Sequence, residues 1–293
     1  MTKKKLFVWT CDYSENSGEG KLARLFINNL NKKKILKIKL NQKKILKQKY
    51  FSTICGIIYC WKKYLNKEKV CYLNYLPMWN FLIFIFLPPR TIFGPITGGA
   101  HFSKSNFFHC IIRGLFFPFF YKISEVFLNL RNINPIFSTD LLKQFLSKRT
   151  VKKSYFNFIV KNFNFKKKIK RKKKIDFLIY YRKHKNKESF FPYDLIKKIS
   201  QLGFKIFIVG DELKLRLVKN CGYLSNKKLS NLQAKAKYTI ASGENPYSFF
   251  VLECLSHNVK VIMEKNMKKN ITIFKNKFIE LNYNSLNSIK KLK

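Results

Sequence analysis

Acidic side chains are scarce in this chain. Fifteen Asp and Glu stand against 60 Lys and Arg, which gives a formal net charge of +45. A surface so poor in carboxylates attracts polyanions, so nucleic acid and anionic lipid both enter as candidate partners. Ala, Gly and Arg are also sparse beside Lys, Asn, Ile and Phe, the bias of an AT-rich coding sequence, and that bias accounts for part of the excess. Long apolar runs are missing too. The longest, Phe81 to Leu87, stops at Pro88-Pro89, far short of the ~20 residues that span a bilayer. No transmembrane helix is expected. Leu6 to Thr10, behind a basic triplet, is too short for the apolar core of a signal peptide. The seven cysteines include no C-x-x-C pair and no His at zinc-finger spacing, so they read as buried thiols of a reducing compartment. A cytoplasmic protein is expected.

What is present argues for a folded chain. Hydrophobic residues make up 46% and Phe supplies 30 positions, too apolar a composition for a disordered polycation. At 293 residues there is chain enough for two domains, each with its own core. Leu6 to Thr10 reads as a strand, followed by the glycine-containing loop Asp12 to Gly20 and a periodic helix through Leu22, Leu25, Phe26 and Leu30. Strand and helix then alternate: Ile35 to Leu40, Tyr50 to Leu65, Lys69 to Leu73, a short helix or buried strand at Asn80 to Phe86, and Thr91 to Phe93. Phe107 to Leu130 reads as one or two helices broken at Pro118, Pro135 to Ser138 as a strand, and Thr139 to Leu146 as a helix. Asn162 to Lys174 is basic and lacks apolar periodicity, as a solvated linker would be. Beyond it the alternation is cleaner, with strands at Ile175 to Tyr181, Lys205 to Val209, Tyr238 to Ala241 and Val259 to Met263. Alternating strands and helices predict parallel sheets with crossovers. The expected division is residues 1–150, a basic linker over 151–174, and a second domain over 175–293.

Ligands of open parallel sheets bind beyond the carboxyl ends of the strands, and four loops there carry informative residues. Ser242 to Glu253 is a polar turn with Glu244 leading into a helix over Phe249 to Ser256 that carries a second acid, Glu253; Cys254 to Ile262 completes a βαβ unit. A helix N-terminus offers N–H groups to phosphate, and a carboxylate further along can accept ribose hydroxyls. Ile175 to Lys187 is a strand followed by the cations Arg182 and Lys187 beyond its carboxyl end. Gly94 to His101 places Gly98, Gly99 and His101 after a buried strand, where backbone can approach a ligand and an imidazole can bond sugar hydroxyls. Asn16 to Gly20 places Gly18 and Gly20 between the first strand and helix, a weak signal by itself.

The unit from Ser242 to Ile262 resembles the donor-binding signature of the glycosyl transferases group 1 family, and Ile175 to Lys187 resembles the first strand of that family's donor domain. The resemblance implies a GT-B fold: two Rossmann-like parallel-sheet domains facing a cleft, the first on the acceptor side, the second binding a nucleotide sugar. It implies a metal-independent glycosyltransferase, hexosyltransferase-like, moving sugar from a nucleoside diphosphate sugar to a hydroxyl acceptor in cell-surface polysaccharide or lipopolysaccharide assembly. The nucleotide sugar is a co-substrate, and neither cofactor nor metal is expected, since no Asp-x-Asp pair stands in a donor loop. By the same resemblance Glu253 would hold the ribose, Glu244 would approach the donor sugar, Arg182 and Lys187 would reach the diphosphate, and His101 would face the sugar from the acceptor domain. Gly210, Asn245 and Ser248 would complete the donor loops, and the base would pack near Gly222 to Ser225. One departure stands out. Eight residues lie between Glu244 and Glu253 where the family has seven, so either the loop carries an extra residue near Pro246 or Asn245 takes the first acid's place.

The aromatic stretch Phe107 to Lys122 reads either as core or as a segment in the headgroup region of anionic lipid, which would suit a lipid-linked saccharide acceptor. A nucleic-acid-binding protein would explain the charge, but no helix-turn-helix, zinc-finger or RNP-like motif is present and the βα order would go unexplained. A nucleotide-sugar epimerase, or an inactive GT-B remnant suggested by the little chain that follows Lys277, are the alternatives within the fold.

Overall fold

The computed structural model describes residues 4–15, 17–32, 36–42, 49–74, 76–98, 111–165, 172–184, 188, 191–243, 245–265 and 271–292. They fall into two compact units that divide at Phe163 and Asn164.

The first unit is built on a parallel sheet of β1 (Lys4–Thr10), β2 (Leu36–Gln42), β3 (Lys69–Tyr72) and β4 (Ile92–Phe93), in the order β2-β1-β3-β4. Side chains alternate across the pleat, so β1 sends Leu6 and Val8 to one face and Trp9 to the other. On the first face they meet Ala23, Phe26 and Ile27 of α1 (Gly18–Lys32), closed by Phe158 of α6 (Phe158–Asn162). On the second, Trp9, Val70 and Tyr72 pack under Cys60 of α2 (Lys49–Leu65), Ile83 and Phe84 of α3 (Phe81–Phe86), and Tyr121 and Leu128 of α4 (Phe117–Leu130). The expected break at Pro118 does not occur. Pro118 sits in the first turn of α4, where a missing N–H costs little. The turn before it, Ile112–Phe116, widens to a π-helix in which the N–H of Phe117 bonds to the carbonyl of Ile112.

Two other segments differ from expectation. Residues 135–138 form no strand; Ile96↔Phe137 and Ile136↔Tyr155 are single bridges. The helix expected over Thr139 to Leu146 is reduced to a 3-10 turn, Lys143–Phe145, and the chain turns helical at α5 (Lys148–Lys153). The reason is local: Ser147 caps α5 through Thr150 N–H and also bonds Glu125 of α4, which fixes the helix start there.

The second unit holds six parallel strands, β5 (Ile175–Tyr181), β6 (Ile206–Gly210), β7 (Val218–Asn220), β8 (Ala236–Ile240), β9 (Lys260–Glu264) and β10 (Phe278–Leu281), in the order β10-β9-β8-β5-β6-β7. Phe177, Ile179 and Tyr181 of β5 face Leu195, Ile196 and Ile199 of α7 (Tyr193–Gln201), with Ile289 of α10 (Leu286–Lys290). Ile175 and Leu178 face α8 (Asn226–Lys235) and α9 (Phe249–Ser256) through Leu232 and Cys254. From β5 the chain runs outward through β6 to β7, then returns to β8 and runs the other way. The strand order therefore reverses between β5 and β8, the place where open α/β sheets open a crevice for ligands. Among the described residues no helix is long and apolar enough to cross a membrane.

Candidate functional site

The reversal point puts the ends of β5 and β8 side by side, since Phe177 pairs with Tyr238. β5 runs on into Arg182 and Lys183, both exposed. β8 runs on through Ala241 into Ser242 and Gly243, and then into α9. Tyr180, the penultimate residue of β5, packs its ring on Phe250 in the first turn of α9, with centroids 5.6 Å apart. This contact fastens the start of α9 against the strand that leads into Arg182. The positive end of the helix and an arginine thus follow from neighbouring strand ends, which favours an anionic ligand such as a diphosphate there.

The start of α9 is set by its own loop. Ser248 is the N-cap, its Oγ accepting from Val251 N–H at 3.3 Å. Asn245 Oδ1 accepts from Tyr247 N–H at 2.9 Å in a local turn. Tyr247 is fully buried, and its hydroxyl accepts from the N–H groups of Thr272 and Ile273 and donates to the carbonyl of Ile273. The side chains of Ser248 and Asn245 therefore shape the backbone that would meet a ligand. Glu253 lies more than one turn into α9, half-buried, with Gln233 Nε2 donating to its Oε2 at 3.4 Å.

Gly210 ends β6 at φ +105°, a conformation that side chains rarely adopt, and a Cβ there would collide with the carbonyl oxygen of Tyr181 and crowd the ring of Tyr180. The next residue, Asp211, ties three loops together. Its Oδ2 accepts from Lys183 N–H at 2.7 Å and its Oδ1 from Tyr223 Oη at 2.8 Å. The Lys183 N–H, then the Tyr223 hydroxyl, hold its carboxyl below the ordinary range, and the charges of Arg182 and Lys183 add to this. Tyr223 gives up its hydroxyl to Asp211 and leaves most of its ring exposed. A concavity of about 200 Å³ lined by Lys173, Lys237, Tyr238, Asn258 and Lys260 lies at the amino ends of β8 and β9, the opposite end of this sheet, where Lys237 is already paired with Asp176 at 2.7 Å.

In the first unit, Gly20 lies against the loop after β1: a Cβ would collide with the Ser14 backbone and crowd Asp12. Asp12 accepts from Ser14 N–H at 2.8 Å and from the Ser17 hydroxyl, and Ser17 Oγ accepts in turn from Gly20 N–H at 2.8 Å. Gly18 begins α1 facing open space. Gly98 packs against Leu142, and Thr97 is pinned by N–H and hydroxyl bonds to the Leu76 carbonyl. Gly99, His101, Lys187 and Glu244 lie outside the described residues. Sequence reasoning missed Tyr180, Phe250, and the bonding of Asp211 to Tyr223. An outward-facing aromatic just before a strand end was the available signal for the first.

The sequence matches no family model and no curated protein. By shape it is similar to a glycosyltransferase from Rickettsia africae, at 12% identity and a TM-score of 0.52, with 98% of this chain and 86% of the other covered. It is similar also to Anabaena HepE in complex with UDP and glucose, at 10% identity, a TM-score of 0.52 and coverage of 99% and 88%. A third likeness is to the UDP-GlcNAc 2-epimerase of Methanocaldococcus jannaschii in complex with UDP-GlcNAc and UDP, at 11%, 0.52, and 98% and 91%. The fold is of GT-B type. A transferase and an epimerase share it, so the GT-B architecture leaves the reaction to be argued from the residues.

Proposed function

We propose that the chain is a glycosyltransferase that moves a sugar from a nucleoside diphosphate sugar to the hydroxyl of a saccharide or lipid-linked saccharide, in the cytoplasm, during assembly of cell-surface polysaccharide or lipopolysaccharide. The observation that carries this reading is the contact of Tyr180 with Phe250 at the β5–β8 reversal, which joins the strand that leads into Arg182 to the start of α9. The donor's diphosphate lies there, with Arg182 and Lys187 and the N-terminus of α9 supplying positive charge. Glu253 accepts the ribose hydroxyls, the exposed ring of Tyr223 offers a surface for the base, and Glu244, or Asn245 in its place, contacts the sugar. His101 belongs to the acceptor side.

In the reaction the bond between the anomeric carbon and the diphosphate oxygen breaks, and the acceptor oxygen forms the new bond to that carbon. The bonding electrons leave with the diphosphate, which gains charge. The acceptor's hydroxyl proton passes to a base or to the departing phosphate. Fixed cations around the diphosphate lower this barrier because they stabilise charge that grows in the transition state. Neither metal nor organic cofactor is needed in this scheme.

Incubation with UDP-, GDP- and ADP-sugars and a mixture of saccharide acceptors, followed by chromatography of the nucleotides, tests it. Acceptor-dependent release of one nucleoside diphosphate is expected. Conversion of the sugar at constant nucleotide sugar content would assign an epimerase instead, and RNA binding without nucleotide binding would refute the reading.

A further inference from the structure

The helical layer formed by α2, α3 and α4 is apolar on its outside as well as on its inside. In α2, Phe51, Ile54, Ile58, Trp61 and Leu65 are all exposed, Ile58 at 62% and Leu65 at 71%. Their spacing confines them to an arc of about 80° at 100° per residue, opposite the side on which Ser52, Gly56 and Cys60 are buried. Exposed Leu82 and Phe86 mark one side of α3. Leu115 of the π-turn and Phe119, Val126 and Leu130 of α4 repeat at steps of four, seven and four residues, all exposed.

These stripes belong to one surface. Trp61 Nε1 donates to the Phe86 carbonyl at 2.7 Å and joins α2 to α3. The Phe81 and Phe120 rings lie 5.4 Å apart, and Arg131 donates to the carbonyls of Ile85 and Pro88, joining α3 to α4. Contiguous apolar surface of this extent marks an interaction face. Charge chooses the occupant. α2 and α3 contain no acid, and the one acid of α4, Glu125, is buried and bonded to Ser147 and Lys122. Lys62 of α2 and Arg90, which follows α3, are exposed, while Lys122 of α4 is paired with Glu125 at 3.2 Å. A second copy of a chain carrying +45 would set cations against cations, whereas anionic headgroups over acyl chains match both the charge and the apolar area.

We infer that the outer face of the α2, α3 and α4 layer docks this protein on the surface of an anionic lipid bilayer. The apolar stripes enter the boundary between headgroups and acyl chains, and Lys62 and Arg90 contact lipid phosphates. The inference stands apart from the transfer reaction, because nothing in it uses the β5–β8 crevice.

Flotation of the full chain tests it, with vesicles of phosphatidylcholine alone and of equal parts phosphatidylcholine and phosphatidylglycerol. Binding to the anionic vesicles alone is expected, with Trp fluorescence quenched by brominated lipid in the wild type and not in Trp61→Phe. The triple variant Ile58→Asp, Leu65→Asp, Leu115→Asp changes exposed positions only, and it should bind at least about tenfold more weakly with an unchanged melting temperature. Should that variant misfold, the Trp61 quenching decides alone. Absence of binding, unquenched Trp61, or a folded triple variant that binds as the wild type does would overturn the inference. So would a dimer, dispersed by the same substitutions, that ignores vesicles.

Discussion

Tyr180 and Phe250 pack in a tilted pair at the end of β5, 5.6 Å between ring centroids and 32° between planes, and this pair connects the strand that leads into Arg182 to the helix carrying Glu253. The residues are distant in sequence and belong to different βα units. Their contact joins the two units. Phe250→Ala should therefore cost about 2 kcal/mol of stability, the loss of a partly buried ring and its aromatic partner. It should also weaken nucleotide binding, while Phe250→Leu keeps most of the stability. Urea melts of both variants, with and without nucleotide, check this.

Gly210 allows the β6 end to pass against the carbonyl of Tyr181. Gly210→Ala adds a Cβ at φ +105° into that oxygen, so a loss of about 2 kcal/mol or more is expected. A circular-dichroism melt measures it, and an unshifted midpoint would show that the turn can relax.

Glu253→Gln should leave the fold intact, because an amide can still accept from Gln233, yet lower nucleotide affinity by about tenfold through the lost charge-assisted bonds to ribose. Titration calorimetry of the variant reads both the affinity and the stoichiometry. Glu244→Gln and Asn245→Ala, made separately, then show which of the two contacts the sugar: the one that lowers turnover more than nucleotide affinity.

How far the sequence discloses this arrangement depends on the range of the interactions involved. β5, α9 and β9 are legible because each is an apolar run closed by polar residues. The parallel order of the strands follows from the alternation of strand and helix. Residues 135–146 mislead because single bridges and the Ser147–Glu125 bonds, both long-range, outweigh the local apolar pattern that suggested a strand and a helix. Tyr180 and Phe250 are invisible as a pair for the same reason: neither residue's neighbours in sequence reveal the other. The polar roles of Asn245 and Ser248 were also hidden, since a side chain that caps the backbone and one that grips a ligand have the same letters.

Glu125 gives a pH signature in the first unit. Burial raises its pKa, but the bonds from Ser147, Thr150 and Lys122 outweigh burial and hold it below the ordinary value of 4.5. A carboxyl with a depressed folded pKa stabilises fully above its unfolded value, and that stability is lost as pH falls below 4.5 through the folded pKa. Ser147→Ala removes the hydroxyl bond and the α5 cap, for a loss of about 1–3 kcal/mol at neutral pH. The difference between variant and wild type should shrink in acid, as melts from neutral pH downward would show.

The most direct test of the central claim is a thermal-shift panel of UDP, GDP, ADP and their sugars against the wild type and Arg182→Ala. One base should stabilise the wild type, by about 2.7 kcal/mol at a hundredfold excess over Kd, and the gain should fall in Arg182→Ala. Stabilisation by no nucleotide, or equal stabilisation of wild type and variant, would contradict a diphosphate held at the β5–β8 reversal.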